Sequence, residues 1–325
     1  MAAWLARRVA AAIAGVWAVV TLTFFLIHLA PGSPFPVPGQ ERPMDPAVTA
    51  ELRRRFGLDR PLPVQYLSYL RELGRGNLGV SFGQRRPVAE ALGDAIPNTL
   101  LLAGAALCID LLLGLALGVY QAAHVHRRSD VLLGNLSLFI GSMPTFWLGL
   151  GALLVFGQRL HWFPIGGTHD PVVYASLSWL GKVGDRLWHL ALPALTLGLV
   201  AAAGTARYQR SAMLEALCQD FVRTARAKGV PPRQVLLHHV LRNALLPGVT
   251  LFGLAFPFLL TGAVLTESIF AWPGMGRLAA EAISTRDYPL INATTLVAAV
   301  MVAAGSLIAD LLLAAVDPRV RVSDA

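Results

Sequence analysis

The side chains in this sequence that could do chemistry fall into three sets, and each suggests a different job. Asp110, Glu267 and Asp310 are carboxylates in or beside long apolar runs, where an ionisable group is costly to keep and is a functional candidate by default. Asp110 sits mid-run and is read as lining a path or receiving a cationic terminus, with inward pairing to another helix as the alternative. Glu267 and Asp310 lie near run ends, where hydration or a local salt bridge is the simpler account. The histidines form the second set. His238 and His239 are adjacent and point about 100° apart on a helix, while His161 and His169 lack an i, i+4 spacing or an acidic partner, so no metal site is expected. The third set is basic and amphipathic. Leu214, Leu217, Phe221 and Ala225 recur at spacings of three and four, with Arg223, Arg226 and Lys228 around them.

That third set carries the strongest signal. Ala225 and Ala227 are small enough to let another surface approach, Gly229 permits a turn, and Pro231-Pro232 stop the helix before Arg233 begins another. The expected product is a protruding helix-turn-helix. No Gly-x-x-x-x-Gly-Lys-Ser/Thr stretch is present to cradle nucleotide phosphates, and neither Gly-x-Ser-x-Gly nor His-Glu-x-x-His supplies a hydrolytic centre. A transport step through this chain therefore draws its energy from a partner or an ion gradient. Cys108 lies in an apolar run and Cys218 in a basic loop, which supports neither a disulfide framework nor a cysteine metal site.

The elements that must position these residues are membrane helices. Of the 325 residues 55% are hydrophobic and 14% charged, with a mean hydropathy of +0.58, against roughly 45–50% apolar and about 25% charged in a soluble domain. Six runs are long enough for a hydrocarbon layer that needs about 20 helical residues: 9 to 30, 98 to 122, 131 to 157, 189 to 210, 245 to 270 and 290 to 316. The first follows Arg7 and Arg8, and its length exceeds the roughly 7–15 residues of a signal-peptide core, so it reads as a retained anchor. With the N-terminus inside, the inner segments hold about 13 basic residues in about 65 positions and the outer ones about 14 in about 115, which favours N-in and C-in. The net charge of +8 and pI near 10.2 come from these short loops, without stacking aromatics, so nucleic acid is not an expected partner.

The outer loop 31 to 96 reads as a small folded cap. Asp45-Pro46 offers an N-cap and a proline at N1 for a helix carrying Leu52 and Phe56 and ended by Gly57, and a second helix is expected from Pro63 to Leu73, stopping at Gly74. Gly104, Gly114, Gly118, Gly149, Gly151, Gly198 and Gly204 would allow close helix contact, and Pro144, Pro247 and Pro257 would kink their helices or mark backbone facing a cavity.

The run Asp220-Phe221-Val222-Arg223-Thr224-Ala225-Arg226-Ala227-Lys228-Gly229, with His239-Val240-Leu241-Arg242-Asn243-Ala244-Leu245-Leu246-Pro247, resembles the ATPase-contacting loop of binding-protein-dependent ABC importer permeases, in their dipeptide, oligopeptide and nickel branch. Further similarity lies in His28-Leu29-Ala30-Pro31-Gly32, Gly57-Leu58-Asp59-Arg60-Pro61, His189-Leu190-Ala191-Leu192-Pro193-Ala194, Glu267-Ser268-Ile269-Phe270 with Pro273-Gly274-Met275-Gly276, Arg286-Asp287-Tyr288-Pro289 and Asp317-Pro318-Arg319. Arg223-Thr224-Ala225 replaces the general Glu-Ala-Ala, which suits the peptide branch, and Ser33 and Asn77 stand where that branch usually shows Asp.

The resemblance implies an all-α integral membrane fold: a MetI-like permease core at 97 to 316, after an anchor helix at 1 to 30 and a cap at 31 to 96, with a coupling loop at 211 to 244 and a tail at 317 to 325. It implies a non-catalytic subunit in a bacterial cytoplasmic membrane, importing di- or oligopeptides, with nickel and glutathione as alternative cargo. The implied partners are a second homologous permease, two ABC ATPases that bind the ATP, and an extracytoplasmic binding protein; no cofactor is held by the chain itself. Asp220, Phe221, Arg223, Thr224, Ala225, Ala227, Lys228, Gly229 and Pro231 are the implied ATPase contact, and Asp110 is the candidate on the path. A stand-alone secondary transporter is the rival of a different class.

Overall fold

The computed structural model describes residues 2–30, 46–55, 57–245 and 264–316. Their order is α1 (Ala2–Leu29), α2 (Pro46–Arg55), α3 (Leu62–Gly74), α4 (Val88–Ala123), α5 (Arg128–Ser142), α6 (Thr145–Ala152), α7 (Trp179–Leu217), α8 (Asp220–Ala227), α9 (Pro232–Gln234), α10 (Val264–Ile269), α11 (Met275–Ser284) and α12 (Tyr288–Val316). Wide π turns continue α6 through Leu153–Arg159 and α9 through Val235–Val240. Among the described residues the extended pairing is a single bridge between Val80 and Pro87.

Among the described residues four helices are long and apolar enough to cross a membrane, over Trp4–Leu29, Val88–Ala123, Trp179–Leu217 and Tyr288–Leu311. The span expected at 131 to 157 is instead two helices bent by 102° at a short break. Met143 and the Pro144 that follows it are both extended, at ψ 137 and 130, because a residue before proline is pushed out of the helical region. The span expected at 245 to 270 lies mostly outside the described residues, as do Pro247 and Pro257.

Other boundaries shift outward. α4 starts at Val88, ten positions ahead of the expected 98, and runs through Pro97. Val88, Ala91, Leu92 and Ala95 are all buried against Met275, Leu278, Ala282 and Leu290, and this packing offsets the hydrogen bond that Pro97 removes. In the cap, α2 ends before Gly57, at φ +67, as expected. α3 stops close to Gly74, but the glycine taking the left-handed conformation is Gly76, at φ +76. Asp45 and Phe56 lie outside the described residues.

The bundle is organised by α4 and α7, which run parallel in close contact, Ile109 beside Gly198, Gly114 beside Thr205 and Gly118 beside Gln209. A Cβ at Gly114 would sit 2.7 Å from Thr205, one at Gly118 2.7 Å from Gln209, and one at Gly198 2.7 Å from Ile109. In lipid no hydrophobic force drives helices together, so such small residues create the backbone approach that dispersion requires. Gly149 meets Phe270 at an ordinary 3.4 Å, but Gly104, Gly151 and Gly204 would meet nothing within 4 Å among the described residues.

Helix direction fixes two ends. α4 and α12 begin at one end, where their first turns share a core with α11. α1 runs opposite to α12, stacking His28 against Tyr288 at that end and pairing Arg8 with Asp310 at 3.2 Å at the other. That pairing matches the local salt bridge expected for Asp310. The cap helices join the first end, through Tyr66 and Tyr69 against Phe24, and α8 lies at the second.

Gly118→Val is expected to lower stability by about 1–3 kcal/mol, the usual range for forced overpacking, while Gly104→Val leaves it unchanged. Thermal unfolding of the purified chain in detergent, followed by tryptophan fluorescence, separates the two.

Candidate functional site

The loop expected to meet an ATPase is built on the end of the α4–α7 pair. α7 ends at Leu217, and Cys218 and Gln219 turn the chain into α8, so the apolar stripe expected from Leu214 through Ala225 is split between two helices. The buried face of α8 is Val222 and Ala225, packed with Met213 and Ala216 of α7, Ala122 of α4, and Val235, Val240 and Ala244 beyond the turn. Phe221, expected on that face, is 37% exposed. Ala225 is therefore small for the sake of its own chain's core rather than for an incoming surface.

The turn closes by backbone chemistry alone. Gly229 N–H donates to Arg226 O at 3.0 Å and Val230 N–H to Ala225 O at 3.2 Å. With Gly229 at φ +75, this is the six-to-one and five-to-two pattern that satisfies the last carbonyls of a helix. Pro231 and Pro232 then start α9, where a missing N–H costs nothing.

What remains outward on α8 and its turn is Asp220, Phe221, Arg223, Thr224, Arg226, Ala227, Lys228, Gly229 and Pro231, all exposed. Asp220 and Arg223 form only a loose pair at 3.4 Å, with side chains 93% and 79% exposed, and Thr224 Oγ1 donates to Asp220 O at 3.0 Å. The surface is an aromatic ring in a mostly cationic field. It suits docking against a partly acidic protein face, and it holds no nucleophile with a neighbouring base.

The site's support includes residues that local spacing does not reveal. Arg210 of α7 donates from Nε and Nη2 to the two carboxylate oxygens of Asp130, at 2.8 and 2.9 Å, and His126 N–H donates to the same group at 3.1 Å. This fork locks the start of α5 to α7 beside the coupling loop. Gln209 lies against Gly118, and Gln121 follows one turn later on α4; both are buried, and their amide atoms lack partners among the described residues. No group of three His, Cys, Asp or Glu able to hold a metal occurs among the described residues.

Asp110 is half-buried in the α4–α7 seam beside Thr205, and its Oδ1 is buried with no partner among the described residues. Glu267 departs from its expected hydration or salt bridge. It is wholly buried and accepts from Thr99 Oγ1 and Arg277 N–H, both at 2.9 Å, at the start of α11. A Cβ on Gly274 would fall 2.5 Å from its carboxylate, which accounts for the glycine there. Asp287 works similarly, accepting from Ser81 Oγ and from the N–H groups of Gly83 and Leu290, so it caps α12 and pins the 80–87 turn. An Asp two residues ahead of a proline was a readable N-cap signal. Asn77, where the resembled branch shows Asp, donates to Glu72 at 2.8 Å, which an aspartate would instead repel. Ser33 is outside the described residues.

Comparison with known proteins covers the chain end to end. Residues 114–322 match the family described as binding-protein-dependent transport system inner membrane component, and residues 1–103 match its N-terminal counterpart. The chain is 40% identical to the oligopeptide transport system permease protein AppB of Bacillus subtilis, over 98% of this chain and 99% of that one. It is 41% identical to the di/tripeptide transport system permease protein DppB of Pseudomonas aeruginosa, over 99% of both. It is also 41% identical to the probable D,D-dipeptide transport system permease protein DdpB of Escherichia coli, over 93% of this chain and 92% of that one.

Val222→Asp is expected to open the loop, because a buried unpaired carboxylate costs several kcal/mol, and limited proteolysis should cut between 218 and 232 at least tenfold faster. Phe221→Ala, on the outward face, should leave the cutting rate unchanged. Glu267→Ala strands Thr99 and the first N–H groups of α11 at a cost of about 1–3 kcal/mol, read as a lower unfolding temperature.

Proposed function

We infer the role of this chain from the premise that it belongs to the binding-protein-dependent transport system inner membrane components: it is the multi-pass permease subunit of a bacterial importer, and its cargo is peptides. The observation that carries the docking half of this reading is α8, a short helix whose inner face is fixed to α4 and α7 while its outer face is exposed and mostly cationic. The cargo half rests on full-length relatives named for oligopeptide, di/tripeptide and dipeptide transport. Those names favour peptides over nickel or glutathione, and a permease subunit over a stand-alone secondary transporter.

In this reading two ATPase subunits bind and hydrolyse the ATP, since the sequence has no P-loop of its own. A second permease completes the path, and an external binding protein delivers the peptide. When the ATPases close, they push on Phe221, Arg223, Ala227 and Lys228. The push reaches the spans because α8 has no freedom to slide on its buried face. Transmission then follows from a rigid element with two positions, and a loose loop would dissipate it. Asp110 enters as a polar group of the α4–α7 seam whose unpartnered oxygen turns to the path when the helices tilt.

Affinity purification of the full chain in mild detergent should recover a second permease and Walker-motif ATPase subunits, and recovery of the chain alone with gradient-driven uptake would sink the reading. Gly229→Pro is expected to cut peptide uptake at least tenfold with membrane insertion unchanged, because proline cannot take φ +75. Unchanged uptake of a labelled dipeptide would remove the coupling role from this turn.

A further inference from the structure

The cap end holds a cavity of about 480 Å³ between α3, the 57–60 turn, the last turn of α1 and the first turn of α12. Its size lies within the roughly 300–1,000 Å³ usual for small-molecule sites. Three of its lining side chains carry buried polar atoms with no partner among the described residues: Asn292 Oδ1, Tyr69 Oη and Gln65 Oε1. Asn292 is 94% buried, being 6% exposed. Buried polar groups are nearly always hydrogen-bonded, so three orphans facing one cavity call for an occupant. Burial pushes the Tyr69 hydroxyl up to about 12, so it keeps its proton and can donate. The two amide oxygens accept.

The rim differs from the floor. Arg54 and Arg60 line it and make no ion pair among the described residues, whereas Glu72, also on the rim, is engaged by Arg75 and Asn77. Phe24, stacked on Tyr69, supplies an apolar wall. The cavity thus combines acceptors for N–H groups, a donor for a carbonyl and cations for a carboxylate.

We propose that this cavity binds a short peptide through its backbone amides and free C-terminal carboxylate, as a holding site in the cap that is separate from the α4–α7 seam. The inference rests on the peptide-importer reading for its choice among amide-bearing carboxylates. A peptide backbone presents the required groups in one small molecule: N–H groups to Asn292 and Gln65, a carbonyl to Tyr69 and a carboxylate to Arg54 and Arg60. Inorganic phosphate or an anionic lipid headgroup would meet the arginines through its phosphate oxygens but presents no amide N–H groups to Asn292 and Gln65.

The test is calorimetric titration of the purified full chain in mild detergent with trialanine, trialanine C-terminal amide and inorganic phosphate, alongside mass spectrometry of co-purified lipids. Trialanine should bind, the amide should bind at least tenfold more weakly, and Arg60→Ala and Tyr69→Phe should each weaken trialanine at least tenfold. Arg71→Ala, on α3 but outside the cavity, should not. Tyr69→Phe keeps the ring stacking, so its effect reads the hydroxyl and not the fold. Equal affinity for acid and amide, indifference to both cavity variants, or a retained anionic lipid that depends on Arg60 while trialanine does not bind would each overturn the proposal. Peptide uptake by the assembled complex without binding here removes the cavity's role and leaves the importer reading intact. Absence of uptake strikes the importer reading, and Arg60-dependent binding would still support the cavity.

Discussion

The close approach of α4 and α7 is the constraint on which the rest of the molecule depends. Lipid tails solvate apolar side chains as well as another helix does, so association must come from shape. Gly114, Gly118 and Gly198 supply that shape by removing the Cβ atoms that would hold the backbones apart. α7 has 39 residues and spans about 58 Å at the usual helical rise, so the pair forms a strut running from the cap end to the coupling end. α8 is seated on the end of that strut through Val222 and Ala225. A displacement at α8 is thereby a displacement of the strut.

The two ends are fastened by different physics. At the cap end Glu267 and Asp287 are buried and accept from hydroxyls and backbone N–H groups, including those of Arg277 and Leu290 at the starts of α11 and α12, where the helix dipole favours negative charge. These contacts are short, directional and inaccessible to water, and they tie α4, α10, α11 and α12 into one unit. At the coupling end the fastening is the Asp130–Arg210 fork, with Arg210 31% exposed and within reach of solvent. The cap end has the character of a fixed frame. The coupling end combines an ion pair, unpartnered Gln121 and Gln209, and a π turn at Val235–Val240. Partly satisfied polar groups and wide turns are where a packed helix most readily takes a second arrangement.

Much of the site was legible because its chemistry is local. Gly229, Pro231 and Pro232 announce a helix stop and restart through backbone conformations available to few other residues, and the observed turn follows that reading. Phe221 was expected on the inner face with Ala225 and lies outward for a physical reason. A period of 3.6 persists only while the helix is unbroken, and the turn at Cys218 and Gln219 resets which side of α8 faces inward. Glu267 could not be read locally, since its partners lie 168 positions away at Thr99 and ten away at Arg277.

The sequence by itself determined the solvent, the helical class, the place of most spans and the turn that ends α8, since these depend on composition, run length and the conformational limits of glycine and proline. Tertiary structure alone decided which glycines touch, since Gly104 and Gly204 are indistinguishable by type from Gly114 and Gly198. It also decided that Asp110 lies in the α4–α7 seam beside Thr205, whereas the 102° bend in the 131 to 157 run follows from Pro144. The reason is common to the first two: in a membrane an apolar side chain is equally at ease against lipid or protein. Hydropathy therefore marks the span but not its inner face, and only the fit between helices distant in sequence selects that face.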